Sequence, residues 1–499
     1  MSESSGNGLY RVLLKSTTLF ASVQGFCVLL SLLRNKVVAV VLGPAGMGVI
    51  NLYNSVIRLL VLLTGGGLGT SGVRYVSSGG MWKEDSLRAC RRQECGRRNV
   101  EGERLAAADQ VRGWSLLLAL AGTVLTAMLS PFLSVIAFGD HAHTLAFVLL
   151  SPVVGLSTFA AGELALLKGV GCLKGLARQS VWNAFFMTFL TIPVLYFWKE
   201  DGIVPSLLLT AVVLLLTTCR YSLREIPLGR PWLFGRLKRE KALLGLGVAF
   251  VLATLGGSVM DLLVRAVIRS AGSLDDVGLF SVAYMTPLTL ATIFFYSLET
   301  DFYPRLSASQ MNTAEAQALT SNQIEISLLS VSPVVMLAFV SLNFFVPLLF
   351  SGKFLPCVAA MQAVLVALVL RAVKLPLSYV ALSHGKSSHY MILETLYAVL
   401  FVALVSLGYF YYGVTGAGFG VLATAAFDFA TLLFYARRWH GYRLPIHIGW
   451  LTCAELLLTV FCAVTAYCVP DAFRWLAAIP VTLAFLLSYC ELRSQQVGK

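Results

Sequence analysis

The chain has 499 residues, 57% of them hydrophobic and only 13% charged, with a formal net charge of +13. Soluble domains run to about 45–50% apolar and about 25% charged residues. This composition therefore excludes a soluble enzyme or binding module and points to an all-α protein embedded in a bilayer. The excess of cations is read as a topological bias and as contact with anionic lipid rather than as a nucleic-acid surface.

Apolar runs of about 20 residues, each long enough to span a bilayer as a helix, recur along the chain. Fourteen are expected: 16–43, 47–75, 113–138, 143–168, 179–198, 203–219, 242–268, 277–300, 325–350, 355–382, 388–412, 415–436, 448–469 and 472–490. The start, MSESSGNGLYRVLLKSTTLF, lacks a short apolar core followed by a small-residue cleavage site, so the first span is expected to stay. With the N-terminus placed in the cytoplasm, 27 Lys and Arg fall in cytoplasmic segments and four, Lys199, Arg269, Lys353 and Arg474, on the other side. That asymmetry orients the chain, with both termini cytoplasmic. The longest loop, about 76–112, is charged and reads as a linker. Cys90 and Cys95 in CRRQEC lack the second ligand pair of a zinc site, and all ten cysteines read as reduced thiols.

In span one Arg34 and Lys36 interrupt the apolar run, and GPAGMG at 43–48 breaks it as an outer turn. Arg58 follows ten residues after Gly48, about 15 Å down the next helix at 1.5 Å per residue. That depth fits either a hydrated cavity or a buried ion pair. A shift of about 230 residues repeats the pattern. Lys36, Gly43, Gly48, Tyr53 and Arg74 match Arg265, Gly272, Gly278, Tyr284 and Arg305. Six spans separate the copies, so the repeat keeps its direction and implies two six-helix lobes. The expected organisation is an N-terminal lobe 1–225 (spans one to six), a C-terminal lobe 226–447 (spans seven to twelve), and 448–499 with the last two spans and a tail.

KVVAVVLGPAGMGVINLYNS, followed by GGGLGTSGVRYVS, resembles the first two spans of bacterial polysaccharide flippases. These are the O-antigen translocases of the multidrug/oligosaccharidyl-lipid/polysaccharide exporter superfamily. The resemblance implies alternating access between two lobes, coupled to a proton or sodium gradient, in the bacterial inner membrane. The cargo implied is a polyprenyl-diphosphate-linked oligosaccharide passing from the cytoplasmic to the periplasmic leaflet. Fourteen spans also match the lipid II flippase branch. A polysaccharide polymerase or ligase is an expected partner, and the chain is expected to be a monomer without a cofactor.

An ionisable residue in a span costs roughly 2.5–3.5 kcal/mol, so each needs a reason. Arg371 and Lys374 are three apart in VLVALVLRAVKLPLSYV, on one helical face with no acid between them. Asp261 and Arg265 form an i, i+4 pair, in which Arg265 is the repeat mate of Lys36. For Arg34, Lys36 and Arg265, snorkelling and substrate contact both stand. Cations in a low-dielectric cleft suit a diphosphate. Tyr53, Asn51, Asn54 and Tyr284, near the turns, are expected to meet sugar rings. Asp428 and Glu394 lie well inside spans and are candidates for ion coupling, with Asp261 and Asp301 as gate or coupling residues. Glu163, Glu299, Glu325 and Glu455 are expected at cytoplasmic ends as interface or gate contacts. No HExxH spacing and no P-loop register appears; GGGLGTSG lacks the following Lys-Ser/Thr. A membrane-embedded glycosyltransferase would need a large outer loop, and a multidrug exporter of cations would want cavity carboxylates to dominate.

Overall fold

The computed structural model describes residues 3–77, 97–227, 241–297, 302, 306, 314–383, 387–442, 444–468 and 481–484. Among these the secondary structure is helical, with no strand. Eight described segments are long and apolar enough to cross a membrane, and three of them, Val23–Thr64, Lys174–Glu225 and Met391–Trp439, are 42, 52 and 49 residues long. At 1.5 Å per residue each of the three exceeds a hydrocarbon core of about 30 Å by far, and each holds two of the sequence-defined spans. Thirteen of the fourteen spans coincide with described helices, and the last, 472–490, lies almost wholly outside the described residues.

The chain divides into two compact units, Met1–Ala266 and Val267–Lys499. The first holds α1 (Glu3–Thr64), α2 (Leu68–Ser77), α3 (Arg97–Phe138), α4 (Thr144–Gly169), α5 (Leu173–Trp198), α6 (Ile203–Glu225) and all but the last residues of α7 (Lys241–Ala271). The second holds α8 (Leu274–Ser297), α9 (Ala314–Leu349), α10 (Val358–Ser383), α11 (Ser387–His440) and α12 (Ile446–Cys468).

Local chemistry sets the breaks. Helix α1 is two helices joined at Gly43, whose φ of 69° is open to glycine at little cost, followed by Pro44, which opens the second helix. Helix α11 breaks in the same way at Tyr412 and Gly413. The second span is not continuous, contrary to the sequence expectation. Gly65, Gly66 and Gly67 end α1, and Gly66 and Gly67 take φ of 54° and 68°. The amide of Leu68 donates to the Gly65 carbonyl at 3.0 Å and restarts the helix as α2. At the start of α8 the Ser273 hydroxyl and backbone amide both donate to the Asp276 carboxylate, at 2.9 and 3.2 Å. The Asp276 amide donates back to Ser273 Oγ at 3.2 Å. This reciprocal pair is a capping box with aspartate in the acidic place.

Helix faces are distributed inside out. Along α3, Leu120, Val124, Met128 and Phe132 form a stripe that is 58–75% exposed, while Ser115, Thr126, Ser130 and Ser134 are no more than 1% exposed. Exposed apolar side chains with buried small hydroxyls are what lipid as solvent requires. The hydroxyls are satisfied locally; Thr126 Oγ1, for one, donates to the Gly122 carbonyl at 2.7 Å. Small residues then let α3 and α4 approach. A Cβ on Gly155 would stand 2.2 Å from Thr123 Oγ1, and one on Gly162 would stand 2.5 Å from Ser115 Cβ. The fold is therefore that of a multi-pass membrane protein.

Candidate functional site

In the first unit the charges of span two and α7 come together. Arg58 Nη2 donates to Asp261 Oδ2 at 2.6 Å, and Ser55 Oγ donates to the same oxygen at 2.9 Å. Arg265, one turn below Asp261, pairs with its other oxygen, Oδ1. One carboxylate thus serves two guanidinium groups, and the cluster carries an excess positive charge. The two arginines differ in exposure: the Arg58 side chain is 53% exposed and that of Arg265 is 1%. Arg265 is a buried cation held against Asp261. Arg58 combines the two readings that its position in the sequence left open. It is ion-paired, and more than half of it remains open.

Tyr53 is buried at 2% exposure, so its ring is not presented to a sugar as expected. Its hydroxyl meets His143 Nδ1 at 2.7 Å, and its ring packs on Phe138 and Phe147 at centroid distances of 5.1 and 5.2 Å. The repeat mate Tyr284 has the same environment in the second unit. It is 8% exposed and lies parallel to Phe280 at 5.8 Å and beside Phe401 at 5.4 Å. The aromatic repeat is thus first a packing device, because a ring flanked by phenylalanines buries more apolar area than a lone exposed one. Asn51 Nδ2 donates to the Met47 carbonyl at 2.8 Å, within its own helix. Asn54, Arg34 and Lys36 are half-buried.

In the second unit α8, α10 and α11 line a cleft. Its polar lining is Tyr284 from α8, Arg371 and Lys374 from α10, and Tyr397 and Asp428 from α11. Lys374 Nζ pairs with Asp428 Oδ2 at 2.8 Å and Glu394 Oε1 at 3.7 Å, and sits 4.8 Å from the Tyr397 ring centroid. The ammonium is satisfied on three sides, by two carboxylates and a π face. Arg371 differs. It is partly buried, its Nε is buried without a partner, and it makes no ion pair or hydrogen bond among the described residues. Four ionisable side chains therefore sum to no net charge, with both carboxylates committed to Lys374 and a guanidinium left over.

Of the residues expected from the sequence, the structure gathers Arg58, Asp261 and Arg265 in one cluster. It gathers Arg371, Lys374, Glu394, Asp428 and Tyr284 at the other. Asp301 lies outside the described residues. Two features were not anticipated. Arg112 Nε donates to Glu163 Oε1 at 2.8 Å, and its Nη2 reaches the Ile226 carbonyl at 2.9 Å. This pair, 5% and 2% exposed, ties α3 to α4 and to the end of α6. Arg112 stands just before the third apolar run, and nothing in its local sequence points to Glu163 as its partner. Glu455 is not an interface residue either: it is fully buried in α12.

A fold of apolar helices carrying ionised clusters within their spans defines an integral membrane protein of the transporter type. The profile of the polysaccharide biosynthesis protein family matches residues 104–359, just over half of the chain, and the chain belongs to that family. Among curated protein sequences none matches it. Solved structures share the fold. The lipid II flippase MurJ in an inward closed conformation aligns with a TM-score of 0.66 at 12% identity, over 96% of this chain and 100% of that one. An inward-facing multidrug resistance transporter of the MATE family, from the MOP superfamily, aligns at 0.61 and 17% identity, over 86% and 96%. A MOP superfamily transporter from Pyrococcus furiosus, described as having a binding pocket of reverse polarity, aligns at 0.57 and 15%, over 88% and 96%.

Proposed function

We propose that this protein is a flippase for a polyprenyl-diphosphate-linked oligosaccharide, an O-antigen or related surface polysaccharide unit. It moves the unit from the cytoplasmic to the periplasmic leaflet of a bacterial inner membrane. The observation that carries this reading is Arg371, a guanidinium in the cleft without an ion-pair or hydrogen-bond partner among the described residues. A planar five-donor fork suits the oxygens of a diphosphate. The family's role in polysaccharide biosynthesis supplies the saccharide. The half-open Arg58, with the net positive cluster around Asp261, is a second anion contact. The acyl chain stays in lipid while only the charged headgroup needs a polar path. Nothing in this reading calls for bond making, so the protein is a transporter and not an enzyme. Transport proceeds by alternating access of a monomer, draws on a proton or sodium gradient, and delivers to a polymerase or ligase.

The deciding experiment follows radiolabelled lipid-linked oligosaccharide in inverted membrane vesicles with and without the protein. Protein-dependent movement into the lumen, collapsed by an ionophore, is the expected result. Movement of lipid II instead would keep the diphosphate chemistry and change the glycan. Efflux of cationic dyes with no lipid movement would overturn the reading in favour of a multidrug exporter.

A further inference from the structure

Among the described residues, one carboxylate has neither solvent nor a hydrogen-bond partner. Glu455 lies nine residues into α12, its side chain is 0% exposed, and neither Oε1 nor Oε2 has a hydrogen-bond partner among the described residues. It belongs to a buried stripe, Ile448, Thr452, Glu455, Thr459 and Cys462, at the three- and four-residue spacing of one helix face. The two threonines cannot satisfy it, because Thr452 Oγ1 donates to the Ile448 carbonyl and Thr459 Oγ1 to the Glu455 carbonyl, each at 2.7 Å.

Helix α12 packs on α9 and α10. The described titratable and charged groups on those helices are Glu325 on α9, and Arg371, Lys374 and Tyr379 on α10. None of them bonds to Glu455. Arg371 and Lys374 line the cleft with α8 and α11, and Lys374 is already held by Asp428 and Glu394. Glu325, the charged group with a described side chain on α9, is another acid, which gives a carboxylate no support. An ionised Glu455 would be a bare charge in an apolar seam, whereas the neutral acid needs no counter-ion.

We propose that Glu455 is a proton-binding site, occupied while α12 is seated on α9 and α10 and emptied when that seam opens. The bond made and broken is the O–H of the carboxyl group. The proton passes to water admitted by the opening and is recovered from water before the seam closes. In the flippase reading, on which this second role rests, that cycle links the proton gradient to movement of α12.

The proton site is tested without transport. Infrared difference spectra of the purified protein in liposomes are recorded across pH, wild type minus Glu455→Gln, with Glu455→Leu as a second subtraction should the first variant misfold. The expected result is a protonated-carboxyl C=O band at neutral pH that is absent from both variants and lost from the wild type only in alkali. A carboxylate band in its place at neutral pH would overturn the proposal. The coupling role is tested in the vesicle assay. Glu455→Gln is expected to lose the sensitivity of transport to a protonophore. A variant whose transport still collapses with the protonophore would overturn the coupling role. If the wild type carries no lipid-linked oligosaccharide while the C=O band is present, the flippase reading fails and the proton site stands.

Discussion

The two ionic centres separate residues that hold the protein together from residues that are free to act. Arg112 and Glu163 are both nearly inaccessible, and the guanidinium also answers the carbonyls of Ile226 and Pro227. Removing one member leaves a bare buried charge, at a cost of roughly 3–5 kcal/mol. Arg112→Ala should therefore lower the unfolding temperature in detergent well below that of the wild type. The double change to Arg112→Met with Glu163→Leu should recover most of the loss, because an apolar pair of similar volume needs no counter-charge. Arg371 should behave in the opposite way. It has no ion pair or hydrogen bond among the described residues to lose, so Arg371→Ala should leave the melting temperature near that of the wild type or raise it. A charge-assisted hydrogen bond contributes about 1.5–3 kcal/mol, so the same change should weaken capture of the diphosphate roughly tenfold to a hundredfold. Binding of radiolabelled substrate to the purified variants checks this. Unaltered binding in Arg371→Ala would remove the cleft from the function.

At the scale of elements, close contacts between backbones decide what can move. Within the first unit, a Cβ on Gly247 of α7 would stand 1.9 Å from the Gly66 carbonyl oxygen, and a Cβ on Gly67 would stand 2.2 Å from the Gly247 carbonyl oxygen. A backbone neighbour cannot rotate aside as a side chain can. Gly247→Val should therefore keep α7 from seating against the Gly65–Gly67 turn, while insertion of the apolar helices is unaffected. The expected outcome is a protein present at normal levels whose transport is strongly reduced. Undiminished transport by Gly247→Val would mean that the contact is not a constraint. The sequence made GPAG visible as a turn, because a turn depends on backbone freedom that a residue type reveals by itself. The partners remained invisible. Nothing in VLVALVLRAVKLPLSYV says that Lys374 will meet Asp428 and Glu394, which arrive from the two arms of a hairpin folded at Gly413. Tyr53 and Tyr284 differ for the same reason: a tyrosine near a turn looks alike in sequence whether it packs on Phe138 and Phe147, as Tyr53 does, or lines a cleft, as Tyr284 does.

At the scale of the whole molecule, the charge pattern sets the direction of transport, because a flippase inserted upside down would carry its cargo the wrong way. The cations are divided 27 to four between the two sets of connecting segments. Short loops near helix ends rich in Lys and Arg stay in the cytoplasm. The structure makes this testable, because four of the lysines concerned are exposed at helix ends. Lys199 stands in the short helix between α5 and α6, and Lys353 in the one between α9 and α10. Lys168 and Lys174 flank the turn between α4 and α5 on the other side. In a background with the ten native cysteines replaced, Lys199→Cys and Lys353→Cys should react with a membrane-impermeant maleimide in intact spheroplasts. Lys168→Cys and Lys174→Cys should react only after the membrane is opened. The reverse pattern would invert the topology and turn the proposed flux from export into import. Labelling of all four in intact spheroplasts would contradict the alternation of helices itself, because α5 would then fail to carry the chain across the bilayer.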